Sequence, residues 1–320
     1  MTGTVVITGV GLACGGLGDP SDLLDPAARA TAEFDPAARL GRKGLRYKDR
    51  ATALALAASL DALTDAGLFA DGSLRVAGET LGVVASSNLG NLETVCAVVD
   101  TIAAETVTGT SPMDLPNASS NVVSSSVAIR FGLRGPNLML CNGPTSGLDA
   151  MHWAANLITG GRCGGVVVVG VEVANVAVRR VVDDPTGALF DGAAAVVVES
   201  AERAAARGAP SLGELAGYHR GARHDVTSTA TAGTGTGTGT AGTATGGQLW
   251  FTEAVSGVVH GHDLTAVTGA ASGALGVLAC VAATAWLSGN PGSVLATAGT
   301  PSDDAVAALT VTAPSAPRAE

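Results

Sequence analysis

The sequence predicts a layered α/β fold, in which strands covered on both faces alternate with helices. Runs such as "CGGVVVVGVEVAN" and "GAAAVVVES" are almost continuously apolar and rich in valine, which is typical of strands buried on both sides. Between such runs, alanine and leucine recur at helical spacing, as in "DRATALALAASLDALTDAGL". Strands that alternate with helices in this way favour a sheet with helices packed on both of its faces.

The individual elements follow from the same patterns along the chain. The opening run "TVVITGVGLA" predicts a buried strand of the parallel type that leads into a loop, and the helix from Asp49 to Leu68 has Gly67 as its stop signal. The remaining elements are strands at "TLGVVASSN", "PNLMLCN", "CGGVVVVGVEVAN" and "GAAAVVVES", and helices at "NLETVCAVVDTIAAE", "SGLDAMHWAANLITGG" and "AERAAARGA".

The segment between Val226 and Gly247 is of low complexity and predicts a flexible linker or a loose surface loop. After it we expect a helix at "GQLWFTEAVSGVVHG", a strand at "LTAVTG", a helix at "ASGALGVLACVAATAWLSG" and a last short strand at "AALTVTAP". The sequence thus predicts a first half over residues 1–217 and a shortened second half over 218–320, which contains the Gly/Thr-rich loop at 226–247.

Composition limits the kinds of partner. Apolar residues make up 47% of the 320 residues and aromatic residues only 3%, so we expect a sizeable core built from alanine, valine and leucine. A net charge of −10 and a pI near 4.9 argue against a nucleic-acid or membrane partner. No apolar run approaches the roughly 18–20 residues of a membrane span, and no basic signal-peptide segment precedes the first strand.

The cysteines indicate a reducing compartment. Their number is odd and none forms a CxxC pair, which argues against a disulfide framework or a zinc site. We therefore expect a cytoplasmic protein with no bound metal. The five are Cys14, Cys96, Cys141, Cys163 and Cys280.

Several motifs together carry a family resemblance. The most specific is "SSSVAIRFGLRGPN", followed by a strand and "TSGLDA"; "VVITGVGLACGGLG" and "GALFDGAAAVVVES" agree with it. On these motifs the chain resembles the β-ketoacyl-ACP synthases of the thiolase superfamily over roughly residues 1–217, and the similarity is patchy from 218 to 320. The resemblance implies a thiolase-like αβαβα sandwich of two related halves, the second one shortened here, and a dimer.

The chain departs from that family at the nucleophile. In a condensing member the position of Pro144 holds the cysteine that forms the acyl thioester. Proline has no nucleophilic atom, and it also lacks the N–H that the nucleophile contributes to the oxyanion hole. Cys141 lies three residues upstream, and using it instead requires a register shift.

The other catalytic positions implied by the resemblance are also altered. In "AVTGAASGALG" the family's histidine position is Ala270 and its lysine position is Thr265. The second family histidine falls in the Gly/Thr-rich segment, and the C-terminal "LTVTAPSAPRAE" contains no Gly-Phe-Gly-Gly loop. Oxyanion donors are typically worth about 3–4 kcal/mol each, so their joint loss predicts a chain with no catalytic residues of its own.

Other candidate residues have simpler interpretations. "HGHD" from His260 to Asp263 has a metal-ligand spacing, but a solvated loop at a helix end is favoured because no third ligand cluster is evident. His152 is expected to pack rather than to act in catalysis. A Ser-His-Asp triad using Ser146 is disfavoured because no G-x-S-x-G elbow is present. The basic segment from Arg42 to Arg50 is equally consistent with a docking site for an acidic carrier protein and with a solvated loop.

These departures predict a non-condensing chain length factor of a type II polyketide synthase. Such a subunit pairs with an active ketosynthase, meets the acyl carrier protein through the complex, and needs no cofactor. The low aromatic content hints at a polyene-type product. Two alternatives stay open: a malonyl-decarboxylating priming subunit and a structural or scaffold protein of the same fold.

The resemblance also implies where a tunnel wall and an interface lie. The segments after "ASSN" and around "SPMDLPNASSN" line the acyl tunnel, so bulk there limits chain extension. If Asp114 is buried in that wall, it needs a partner. The predicted wall residues are Leu89, Leu92, Met113, Asp114 and Asn117, and the predicted dimer-interface residues are Asn137, Leu138, Met139, Leu140 and Cys141.

Overall fold

A ten-stranded mixed sheet organises the chain. The structure is a computed structural model and describes residues 3–112, 114–182, 187–221, 248–253, 259–300 and 302–314. The strands are β1 (Val5–Cys14), β4 (Leu81–Ser86), β5 (Asn137–Leu140), β6 (Gly165–Glu172), β7 (Gly192–Ser200), β8 (Gly213–Gly221), β9 (Gln248–Glu253), β10 (Val259–Asp263), β11 (Gly292–Ala298) and β12 (Val306–Thr312), in the order β10-β9-β11-β12-β8-β1-β7-β6-β4-β5, while β2 (Phe69–Ala70) and β3 (Ser73–Leu74) form a separate hairpin.

Nine helices accompany the sheet in the described part of the chain. They are α1 (Pro36–Leu40), α2 (Arg50–Asp65), α3 (Leu92–Glu105), α4 (Val122–Phe131), α5 (Ser146–Thr159), α6 (Val176–Val182), α7 (Ala201–Ala206), α8 (Thr265–Thr268) and α9 (Leu275–Leu287).

Strand β6 explains why both faces of the sheet are covered. Val166 and Val168 point into the core that α5 and α9 share with β11 and β12, whereas Val167 and Val169 point into the core under α2 and α4. All four side chains are fully buried. Because successive side chains of a strand face opposite sides, a continuous valine run forms when both sides are apolar. The valine-rich pattern therefore predicted the layering correctly.

Helices α5 and α9 pack against each other, and glycine lets them approach. A Cβ atom on Gly147 would lie 2.7 Å from the backbone nitrogen of Gly276, which real Cβ atoms do not tolerate. Strands β4, β6 and β7 flank this layer on one side, and β11 and β12 on the other. The arrangement is a thiolase-like α/β sandwich, as the sequence predicted.

Three predicted elements are wrong in detail. The opening strand β1 is antiparallel to both neighbours, β7 and β8, not of the parallel type. The described residues of "GQLWFTEAVSGVVHG" form the antiparallel strands β9 and β10 and not the expected helix, because β9 also pairs with β11 and so gains ladder hydrogen bonds on both edges. The strand expected at "LTAVTG" is the short helix α8.

The division of the chain into two halves stays a prediction. Strand β8 contains both residues that flank the predicted boundary, Gly217 and Tyr218. The predicted loop at 226–247 and the predicted wall residue Met113 lie outside the described residues. In the part of the chain that the structure describes, no helix is both long and apolar enough to cross a membrane.

Candidate functional site

The candidate site is the turn between β5 and α5. The chain leaves β5 after Leu140, and Gly143 takes a left-handed backbone conformation with φ of 75°. A short 3-10 turn over Gly143–Thr145 then leads directly into α5, with Pro144 at a helix-start position where its missing N–H costs nothing. Pro144 is half-buried. The strand, turn and helix are therefore all formed, and the residue on the turn, Pro144, has no reactive atom.

The Asn88 side chain clamps this turn. Its Nδ2 donates to the Gly143 carbonyl oxygen at 2.9 Å and to Ser272 Oγ at 2.8 Å. Its Oδ1 accepts from the Gly143 N–H at 3.1 Å and lies 3.1 Å from Ser146 Oγ. One amide group thus joins the turn to the loop that follows Ala270.

Glu172, at the end of β6, anchors the backbone around Asn88. Its Oε1 accepts from Asn88 N–H at 2.6 Å and from Gly273 N–H at 3.1 Å, and its Oε2 accepts from Leu89 N–H at 3.2 Å. The carboxyl group is 4% exposed, and burial raises its pKa from 4.5 to about 7 against these hydrogen bonds and one from Ser87. The loop at Asn88 and the loop at Gly273 therefore meet at one buried acid.

Backbone hydrogen bonds hold the loop at Ala270 in place. Ala270 N–H donates to Ala188 O at 2.8 Å, and the Ala270 carbonyl accepts from Phe190 N–H at 3.1 Å. Ala270 itself is exposed. Thr265, at the family's lysine position, has its hydroxyl 2.7 Å from the capping carboxylate of Asp263. Neither side chain supplies a cation or an imidazole.

Cys141 does not replace the missing nucleophile. It lies at the exposed end of β5, beyond the last strand residue. Partial desolvation of its thiol raises the pKa, which a hydrogen bond with Ser120 partly opposes. An activated cysteine needs the opposite shift, because the thiolate is the nucleophile.

A second polar cluster joins the turn to strand β8. Asp149 on α5 is buried and accepts from Asn142 Nδ2 and Thr145 Oγ1, each at 2.9 Å, and from the Tyr218 hydroxyl on β8. Arg220 Nε lies 3.4 Å from the same carboxylate. Desolvation, followed by the bond to Asp149, raises the pKa of Tyr218. The turn and α5 are thereby fixed to β8.

Ser146 and His152 occupy packing positions. The Ser146 hydroxyl lies 2.7 Å from the Gly143 carbonyl oxygen and accepts from Asn142 N–H at 2.6 Å. His152 stacks on Tyr218 with ring centroids 4.1 Å apart, and its Nε2 lies 3.0 Å from Asn156 Nδ2. Burial lowers the pKa of His152, against the nearby charge of Asp149. These contacts do not link Ser146 to His152. They agree with the expected packing role of His152.

The predicted wall residues fall on two segments. Leu89 and Leu92 are half-buried and pack against the core under α2 and α4. Asn117 is buried and donates from Nδ2 to the Tyr47 carbonyl oxygen at 2.8 Å. Asp114 is exposed and borders a surface cavity of about 310 Å³ between α3 and the segment 109–114, so its carboxylate needs no buried partner. Whether these residues form a tunnel wall stays a prediction.

The predicted interface strand lies at the end of the sheet. Among the described residues, strand β5 pairs in parallel with β4 alone, and its other edge has no strand partner there. Asn137 and Cys141 are exposed, and Leu138, Met139 and Leu140 are half-buried.

The "HGHD" segment forms strand β10, not the loop at a helix end that the sequence favoured. His262 Nε2 lies 2.8 Å from the Leu23 carbonyl oxygen, and Asp263 Oδ1 accepts from Thr265 N–H at 3.0 Å. Among the described residues, no group of three or more His, Cys, Asp or Glu side chains is placed to hold a metal ion.

The basic segment from 42 to 50 is divided between exposed and bonded side chains. Arg50 pairs with the buried Asp191 at 2.7 Å and Lys48 donates to Ser126 Oγ at 2.9 Å, so these two hold the fold. Arg42, Lys43 and Arg46 are exposed.

Sequence reasoning missed Asn88 and Glu172. Glu172 had a signal, because it is the single charged residue in the apolar run "VVVVGVEVAN", and a buried charge needs partners. Asn88 stood in a loop after "ASS", where asparagine is common, and gave no signal of its own.

Comparisons with known proteins agree with this geometry. Residues 20–191 match the family model described as β-ketoacyl synthase, N-terminal domain. A granaticin polyketide putative β-ketoacyl synthase 1 from Streptomyces violaceoruber is 32% identical over 271 residues, which cover 68% of this chain and 63% of that protein. The chain spans about half the length of other curated relatives it matches, at 50% to 53%.

Two solved structures share the fold. A structure of the ishigamide ketosynthase/chain length factor superposes with a TM-score of 0.75 at 24% identity and covers 97% of this chain and 99% of that one. A type II polyketide synthase acyl-carrier protein in complex with its ketosynthase bound to the hexaketide gives 0.74 at 16% identity, with the same coverage. At such identities the likeness shows the fold alone. The family model covers more than half of the chain, and the chain therefore belongs to the β-ketoacyl synthase family.

Proposed function

We propose that this chain is a catalytically silent ketosynthase-like subunit, a chain length factor that pairs with a condensing ketosynthase. The observation that carries the proposal is Pro144, which stands on an intact strand–turn–helix where the family resemblance places the nucleophile. Ala270 and Thr265 add to it, since neither replaces the missing cationic and imidazole groups. The turn is held in place by Asn88 and Asp149 although it has no chemistry to perform.

The joint loss of the nucleophile, the histidines and the oxyanion donors favours a subunit without catalytic activity over one with an altered mechanism. Condensation needs a nucleophile that is also a good leaving group, and donors for the charge that develops on the thioester oxygen. Each missing donor costs typically about 3–4 kcal/mol, a factor of 10² to 10³ in rate. The raised pKa of the Cys141 thiol supports the same view.

The proposed role in chain length rests on the segment that begins at Asn88. Leu89 and Leu92 are half-buried beside the clamped turn, and the backbone of Leu89 is fixed by Glu172. A wall that is held in this way resists displacement by a growing chain, because overpacking a buried site typically costs about 1–3 kcal/mol.

The proposed partner interface is the free edge of β5. Half-buried apolar residues on an unpaired strand edge favour strand addition by a second chain. Further exposed apolar side chains lie on two helices that contact each other: Val99 and Ile102 on α3, and Val176, Val181 and Val182 on α6. We propose that the partner's equivalent strand continues the sheet.

We also propose that an acyl carrier protein reaches the complex, and that no cofactor takes part. The exposed Arg42, Lys43 and Arg46 form a basic segment in a chain of net charge −10, which suits an acidic carrier.

The test is co-production of the tagged chain with a condensing ketosynthase from the same genome. We expect a stable complex whose product length increases with Leu89→Ala and decreases with Leu89→Phe. Leu74→Ala, a change at a half-buried leucine of the β2–β3 hairpin, serves as the control and leaves product length unchanged. Unchanged products with both Leu89 variants, or release of acetyl-carrier protein by the purified chain alone, would refute the proposal.

A further inference from the structure

The contacts of Asn88 point to a positioning role. We infer that Asn88 fixes the spacing between the proposed wall residue Leu89 and the turn at Pro144, and so helps to set product length; this inference rests on the proposed function. Three observations carry it, and each is a set of hydrogen bonds among described residues.

The first observation is the clamp on Gly143. The Asn88 side chain binds both the N–H and the carbonyl oxygen of this one residue, at 3.1 and 2.9 Å. Gly143 adopts a φ of 75°, and Pro144 follows it directly. Fixing both peptide groups that flank the Gly143 Cα fixes the direction in which Pro144 enters the site.

The second observation is the contact with Ser272. Ser272 has a φ of 38°, an uncommon conformation for a residue with a side chain. Its hydroxyl accepts from Asn88 Nδ2 at 2.8 Å. The amide that holds the turn thus also holds the loop next to Ala270.

The third observation is the support of the Asn88 backbone. Glu172 accepts from the N–H groups of Asn88 and of Leu89, at 2.6 and 3.2 Å. Leu89 is therefore anchored next to the residue whose side chain grips the turn. Removing the Asn88 side chain leaves the Glu172 anchors in place but disconnects the wall segment from the turn.

Hydrogen exchange of the Gly143 amide in the purified full chain tests the clamp. We expect this amide to be protected in the wild type and to exchange about tenfold faster in Asn88→Ala, the change that the loss of one ordinary hydrogen bond gives. Asn88→Asp keeps the acceptor for Gly143 and loses both donors, so it retains the protection. Asn156→Ala, at an exposed asparagine of α5, is the matched control and leaves Gly143 unchanged.

Product length in the complex tests the consequence. We expect both Asn88 variants to shift or broaden the length distribution, although only one of them loses Gly143 protection. Fast exchange of the Gly143 amide in the wild type would by itself overturn the inference. The wild-type measurement therefore tests the clamp even if Asn88→Ala does not fold. A length shift with Leu89→Ala but none with either Asn88 variant would overturn the inference and leave the proposed function standing; no shift with any of them would overturn both.

Discussion

Glu172 accepts a hydrogen bond from the backbone N–H of Asn88 at 2.6 Å, and this contact joins a buried acid to the residue that clamps the turn. The acid lies at the end of β6, and the asparagine lies in the loop after β4. These two parallel neighbours end at the same edge of the sheet, where side chains from different strands meet. Glu172 and Asn88 therefore hold the site from two neighbouring strands.

The first prediction concerns stability and pH. Because burial raises the pKa of Glu172 from 4.5 to about 7, the folded chain binds this proton more tightly than the unfolded chain. Its contribution to stability is present below about pH 4.5 and is lost as the pH rises through 7. That shift corresponds to roughly 3 kcal/mol.

Urea unfolding at pH 5 and pH 8 measures this effect. We expect the wild type to lose unfolding free energy between the two values, and Glu172→Gln to lose roughly 2–3 kcal/mol less, because the unfolded-state carboxyl is already partly ionised at pH 5. Glu105→Gln, at an exposed glutamate, should follow the wild type. Equal pH dependence of Glu172→Gln and wild type would contradict the assignment.

The second prediction is that Pro144→Cys alone does not restore condensation. The new thiol would lack the imidazole and lysine that the family pattern provides, because Ala270 and Thr265 stand there. We expect at most slow acylation and no ketone product from malonyl-carrier protein, measured by mass spectrometry. Ketone formation by the single variant would show that the other losses are unimportant.

The third prediction concerns the link between Asp149 and Tyr218. Asp149 is buried and accepts the Tyr218 hydroxyl, so Tyr218→Phe should lower the unfolding free energy by about 1.5–3 kcal/mol, as for other hydrogen bonds to charged groups. Tyr47→Phe, at an exposed tyrosine, should change it little. If the two variants are equally stable, the contact does not stabilise the packing of α5 against β8.

The fourth prediction concerns the close approach of α5 and α9. Gly147→Ala places a methyl group 2.7 Å from Gly276 N and should cost about 1–3 kcal/mol. Gly217→Ala in β8, where nothing lies within 4 Å of the added atom, is the matched control. Thermal unfolding compares them, and an unshifted midpoint for Gly147→Ala would show that the helices lie further apart.

The sequence predicted the layering well and the second half less well, for a physical reason. All residues of strand β6 and most residues of helix α2 are buried. Their apolar patterns therefore predict the element type from the local sequence alone. The hairpin β9–β10 depends on pairing with β11, which lies about forty residues further along, and a local pattern contains no information on such pairing.

The candidate site shows the same limit. Pro144 and Ala270 were identified from a family pattern, because a substitution is visible where the residue expected is known. The Asn88 clamp depends on loops that are distant in sequence, since Gly143 and Ser272 meet only in the fold. Only the lone charge of Glu172 in an apolar strand pointed toward it.

The most direct test of the central claim is an acyl-capture assay on the isolated chain. The chain is incubated with acyl- and malonyl-carrier protein, and intact-protein mass spectrometry and product analysis follow. We predict no covalent acyl group and no condensation product without the partner ketosynthase. An acyl group bound to the isolated chain and turned over to product would contradict the account.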